Sequence, residues 1–160
     1  MADLLTHLSL GAIWKSATRG GYPEVFVVGC ALPDLAGRVP GMGFSWLLEQ
    51  GLPVPEELLY GFTIFHMPAG FVPLSFLLAM LFAESERPAV WGALVGGCLF
   101  HLAIDMLQIH YGAGYMLLYP FSTWDWEAGL MGSESTVWMA PLLAGLALWS
   151  WRRRIRVSLD

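Results

Sequence analysis

Charge is what this chain has least of. Only 13% of its 160 residues are Asp, Glu, Lys or Arg, against roughly 25% in an ordinary soluble domain. Its eight Lys and Arg form no face that could track a phosphate backbone, so no nucleic-acid partner is expected. Cysteine is nearly as scarce. Cys30 and Cys98 each sit in an apolar segment, which excludes a disulfide framework and a zinc-type Cys pair and leaves two small buried hydrophobes. No glycine-rich phosphate-binding motif is present, and no serine stands in a nucleophile elbow. Neither an internal repeat nor a low-complexity segment interrupts the chain. The N-terminal MADLLTHLSLGAIWK has neither a basic n-region nor a small-residue cleavage site, so it is expected to be mature sequence.

What is present is apolar. Hydrophobic residues make up 56% of the chain, with eight Trp, nine Phe and five Tyr, and the mean hydropathy is +0.58. Together with several long apolar runs, this predicts an integral membrane protein in contact with the lipid bilayer. The expected fold is all-α: one membrane-embedded domain over 1–160, a bundle of about four to five membrane segments that includes one short half-helix.

In chain order, residues 2–18 read as a first helix closed by Lys15, Arg19 and Gly20-Gly21. Residues 24–33 form an apolar run of roughly 15 Å, too short to span alone and read as a half-helix ending in Pro33-Asp34. Residues 35–55, with four Gly and three Pro, read as loop with one short helix around 45–50. Residues 56–83 form the next segment, with a break expected after His66 because Pro68 and Pro73 follow. A polar turn at 84–88 leads to a span at 89–109 rich in small residues. A long loop, 110–135, has no Lys or Arg, and the last span, 136–151, ends in Arg152-Arg153-Arg154 and Arg156. Placing that basic end in the cytoplasm leaves seven of the eight Lys and Arg inside and only Arg38 outside. The N-terminus is then outside and the C-terminus inside.

Against this background the polar residues stand out. His101, Asp105 and Gln108 share one helical face within an apolar run, and ionisable groups at membrane depth are expensive and tend to be functional. The threading brings His7, Asp34, His66, His101, Asp105 and His110 to the outer half of the bundle. Each has an ordinary structural alternative: a core histidine, a helix cap, an i, i+4 ion pair or a wet interfacial residue. Glu127 and Glu134 read as solvated loop residues. Taken together, imidazoles and carboxylates form a donor set for a divalent metal, zinc first, with manganese and iron as alternatives. His7, Asp34, His66, His101 and Asp105 are the candidate ligands, and whichever of Asp34 and Asp105 is not a ligand is the candidate base.

The order of short motifs adds to this reading. Thr6-His7-x3-Gly11, Gly29-x2-Leu32-Pro33-Asp34, His66 at the head of an apolar helix, His101-x3-Asp105 and Gly114-x2-Leu117-Leu118-x-Pro120-Phe121-Ser122 follow one another. In this order they resemble the membrane-bound, metal-dependent hydrolase-like family that includes the LexA-binding inner-membrane hydrolase. The resemblance covers nearly the whole chain. It implies a small helical protein of the bacterial inner membrane with a metal site on those same His and Asp positions, acting on phosphoesters or lipid headgroups; the threading puts that site at the outer face. Two departures accompany it. The family's His-Arg-x-x-Thr-His-Ser keeps only His66 of its two histidines, with no Arg or Ser, and its Pro-Asp-x-Asp becomes Pro33-Asp34-Leu35-Ala36. These losses motivate a second expectation, a non-catalytic accessory subunit of a larger membrane protein complex that retains the hydrolase-like fold.

Overall fold

The computed structural model describes residues 4–18, 20–109 and 114–159. It is all-α apart from two two-residue strands. Helix α1 spans Leu4–Ala17, α2 Pro23–Pro33, α3 Val39–Glu49, α4 Glu56–Gly61, α5 Pro68–Ala79, α6 Arg87–Met106 and α7 Ser133–Leu159. A π-helical turn, Asp34–Arg38, joins α2 to α3, and a 3-10 stretch, Phe62–His66, joins α4 to the break before α5. The helices stack in the order α7, α1, α2, α6, α5.

Among the described residues, two helices are long and apolar enough to cross a membrane: the continuous 27-residue run Pro23–Glu49 and the 20-residue α6. The packing of α1 points the same way. Its buried residues are Thr6, His7, Ser9 and Gly11, while Leu5 and Trp14 face outward. Small and polar residues inside with apolar residues outside is the reverse of a soluble helix, and it suits a lipid surround. On α7, Trp138 and Leu142 are likewise exposed.

The sequence expectation for 35–55 is corrected. Instead of a loop with a helix at 45–50, the chain stays helical from Pro23 to Glu49. The half-helix is therefore the first part of a longer helix, and Asp34 stands within it rather than at an end. Backbone polar groups in an apolar surround must be satisfied internally, and that requirement outweighs the breaker composition of Gly37, Pro40, Gly41 and Gly43. Pro40 comes just after the π turn Asp34–Arg38, where the i→i−4 ladder is already interrupted. The break after His66 occurs as expected: Met67 is extended (φ −113°, ψ 153°) and Pro68 starts α5.

The tightest junction is between α2 and α6. A Cβ on Gly97 would collide with the Phe26 carbonyl and stand 2.7 Å from Cys30 N. Only glycine allows this approach, and it brings the His101 end of α6 against the Cys30 end of α2. The core around it is Leu32, Phe71, Cys98, Leu102 and Tyr115. Strands β1 (Gln108–Ile109) and β2 (Met131–Gly132) pair in parallel, and Tyr115 bridges Trp126, so the described part of the loop folds back over the α6 C-terminus. Helix α3 is different. It buries no residue, and it packs mainly on α4 and the two short non-α turns rather than on the stacked helices.

Candidate metal centre

Pro33 sets up the site. Having no N–H, it leaves the Gly29 carbonyl without its helical donor, and Cys98 Sγ takes that carbonyl at 3.3 Å. The Asp34 N–H then bonds Ala31 O, one residue short of the α-helical partner. The Cys30 carbonyl is therefore available, and His101 Nδ1 lies 2.8 Å from it. The π turn that follows aims Asp34 inward, in keeping with the habit of π segments to occur at functional sites. Gly37, one turn on, makes room for the next ligand. A Cβ there would lie 2.7 Å from His66 Nδ1 and 2.8 Å from Phe62 O.

These contacts bring together all five residues singled out from the sequence. His7, Asp34, His66, His101 and Asp105 are 0–7% exposed. One donor atom from each of His7, His101 and Asp105 lies within 4.8 Å of the others, and so do donors from Asp34, His66 and His101. His101 belongs to both sets, so the five form one cluster. The rings of His7 and His101 stack with centroids 3.8 Å apart, and His66 lies 5.6 Å from His101. His110 lies outside the described residues. Glu127 is half-buried in the loop and is not among the donors of either set.

The polar contacts within the cluster are unusual. A carbonyl only accepts, so His101 Nδ1 must carry the proton that reaches Cys30 O. In the neutral ring, Nε2 then presents a lone pair, and it faces Asp105 Oδ2 at 3.3 Å. His7 Nε2 lies 3.0 Å from Asp105 Oδ1. Neither pair has hydrogen-bond direction, and both ring nitrogens of His7, His101 Nε2 and Asp105 Oδ1 are buried without a hydrogen-bond partner. Asp34 Oδ2 is also without one, while Asp34 Oδ1 accepts a long bond of 3.3 Å from His66 Nε2. Buried polar atoms left in this way cost about 1–3 kcal/mol each. A cation held by His7, His101 and Asp105, or by Asp34, His66 and His101, would satisfy the donor atoms that face it.

Two residues near the cluster are not apparent from sequence patterns. Tyr115 donates its hydroxyl to Asp105 Oδ2 at 2.6 Å. Burial first, and then the Asp105 charge, pushes the Tyr115 hydroxyl well above its ordinary value, so it remains a donor. Arg38 Nη1 lies 4.0 Å from Asp34 Oδ1. The i, i+4 spacing of Asp34 and Arg38 signals this pair once the segment is taken as helical. Nothing local in the sequence points Tyr115 at Asp105. Gln108 shares the α6 face as expected but lies just past the helix end in β1. It is fully buried, and neither side-chain amide atom has a partner.

The chain matches the YdjM inner membrane protein family over residues 1–159. It belongs to that family. No curated protein and no solved structure shows a significant match. Membership accounts for the inner-membrane character of the fold, in agreement with its outward-facing apolar residues.

Proposed function

We propose that the chain is a metal-dependent hydrolase of the bacterial inner membrane, acting on phosphoesters or lipid headgroups at the outer face. One observation carries this reading: Nε2 of His101, whose Nδ1 is held by the Cys30 carbonyl, lies 3.3 Å from a buried carboxylate oxygen with no hydrogen bond between them. With that ring neutral, the two are both acceptors and repel unless a cation lies between them. The donor separations of 3.0–3.3 Å compare with about 3.3 Å between neighbouring ligands of a tetrahedral zinc ion at Zn–N of about 2.05 Å.

His7, His101 and Asp105 would hold the ion, with His66 or Asp34 completing the set. Zinc is preferred, and manganese or iron also suits three imidazoles and two carboxylates. Such an ion supplies Lewis acidity and a water that ionises near neutral pH. The residues of the chain divide the remaining work. Asp105 lies between His7, His101 and Tyr115 and acts as a ligand. With His66 completing the set, Asp34, which has one buried oxygen without a partner and lines the approach to the cluster, would be the base that takes a proton from the attacking water. Cys30 O fixes the ring of His101. Four to five segments cross the membrane, with the N-terminus outside and the C-terminal arginines in the cytoplasm.

Metal analysis of the detergent-purified chain tests the reading. We expect near-stoichiometric zinc, manganese or iron in the wild type and its loss in His101→Ala, together with metal-dependent release of phosphate or headgroup from a phosphoester substrate. A metal-free wild type would remove the hydrolase reading. If that protein also held a large membrane partner, the accessory-subunit role would take its place.

A further inference from the structure

The five donors close up as two triads that share one member: His7, His101 and Asp105, and Asp34, His66 and His101. The shared residue can serve only one ion. His101 Nδ1 is engaged by the Cys30 carbonyl at 2.8 Å, which leaves Nε2 alone for a metal. Charge agrees. The donors include two carboxylates, Asp34 and Asp105, and Arg38 already stands beside the first. A single divalent ion is enough to balance them, and a second would leave a buried excess of positive charge. One ion therefore has two alternative seats.

The seats differ in access. His7, His101 and Asp105 are 0–1% exposed, Asp34 is 2% and His66 7%. A cleft of about 170 Å³ is lined by Leu4, Asp34, Arg38, Val39 and Met42, so Asp34 is the one donor of the five that it reaches. Asp34 Oδ2 has no hydrogen-bond partner. Its other oxygen has Arg38 Nη1 as counter-charge at 4.0 Å, a looser pairing than a two-pronged contact. A cation in the cleft thus meets a carboxylate first. The seats also differ in what an ion relieves. At the deep triad, both ring nitrogens of His7, His101 Nε2 and Asp105 Oδ1 are unpartnered, and Tyr115 steadies Asp105 at 2.6 Å. At the cleft-side triad, Asp34 Oδ1 already accepts from His66 Nε2 at 3.3 Å. An ion satisfies more buried atoms at the deep seat, so that is where it rests.

We propose that Asp34 is the entry ligand of the centre. A divalent cation arriving through the cleft is taken first by Asp34, His66 and His101, and passes to His7 and Asp105 while His101 stays bound. Arg38 is the charge that the ion displaces at Asp34, and it returns once the ion has moved on. Asp34 is then free to act as the base. The route rests on the metal reading above and is independent of hydrolysis.

The test uses the full chain, stripped of metal, in nanodiscs of zwitterionic lipid. Rapid mixing with cobalt(II), whose visible absorption follows binding, gives the uptake rate, and excess chelator gives the release rate. One ion per chain is expected. Asp34→Asn should slow uptake about tenfold or more. His7→Ala should leave uptake nearly unchanged and speed release about tenfold or more, as expected for a ligand of the resting seat. Arg38→Gln removes the competing charge and should speed uptake. Val39→Trp narrows the cleft and should slow uptake and release together, with affinity unchanged. Val39 is 53% exposed and the Arg38 side chain 35%, so these two variants should fold, and a melting curve checks each. Two ions per chain, an Asp34→Asn protein that only hastens release, or a Val39→Trp protein with wild-type rates would overturn the route and leave the metal reading standing. A wild type that takes up no cobalt would remove both. The expected rates without release of phosphate or headgroup from a phosphoester would remove the hydrolase reading alone.

Discussion

Replacing Tyr115 by Phe deletes one oxygen, and three measurements should respond. That hydroxyl is 2.6 Å from Asp105 Oδ2 in a buried site. A hydrogen bond to a charged acceptor is worth about 1.5–3 kcal/mol, and for a chain of this size that corresponds to a melting shift of roughly 3–12 °C. Because the hydroxyl holds the oxygen that faces His101, its removal should also weaken metal binding about 10–100-fold, the usual loss when the partner of a ligand is removed. The third response is to alkali. Burial and the Asp105 charge raise the Tyr115 value above the 10.0 of an unperturbed tyrosine. The stabilisation is therefore complete below that pH and is lost as pH rises above it, where the unfolded chain ionises and the folded one resists. Melting temperature recorded from pH 8 to 11.5 in wild type and Tyr115→Phe isolates this effect, because other titrating groups cancel in the difference. The gap between the curves should narrow as pH climbs past about 10. A variant with unchanged melting, metal affinity and alkaline slope would refute the coupling of Tyr115 to Asp105.

Other outcomes follow from the same geometry. Gly37→Ala should displace His66, because the new Cβ would lie 2.7 Å from its ring nitrogen; metal titration should show a larger loss than the melting curve does. Gly97→Ala should force α2 and α6 apart and cost about 1–3 kcal/mol, read as a fall in melting temperature with metal lost alongside. Arg154, on α7, donates to the carbonyls of Lys15, Thr18 and Gly20 at the end of α1. Arg154→Ala should lower stability by about 1–3 kcal/mol while leaving metal content intact. Chelation of the wild type should lower its melting temperature, whereas a protein already depleted by His101→Ala should not respond.

The cluster was legible because its chemistry contrasts with its surroundings. His101 and Asp105 share a helical face by arithmetic alone, and few apolar helices carry such residues without cause. Asp34 was legible as a candidate, but its setting was not. Its neighbours Gly37, Pro40, Gly41 and Gly43 look like a loop by the rules of soluble proteins, whereas the chain there remains helical. Where water does not compete for backbone groups, glycine and proline lose much of their breaking power. Arg38 was hidden by the same misreading, since i, i+4 spacing means nothing in a presumed loop. Tyr115 was hidden for another reason. Its contact depends on how the segment around the Tyr115–Trp126 bridge folds back over α6, which no local periodicity encodes.

The missing amide hydrogen of Pro33 also works as a ruler. A helix turns about 100° per residue, so a proline one position earlier or later would release a carbonyl on a different side of α2. Cys98 and His101, fixed on α6, would then face a closed ladder. The site thus depends on the register between one proline on α2 and an imidazole 68 residues later. Insertions in the connecting segments leave that register untouched, while a single-residue slip inside either helix would break it.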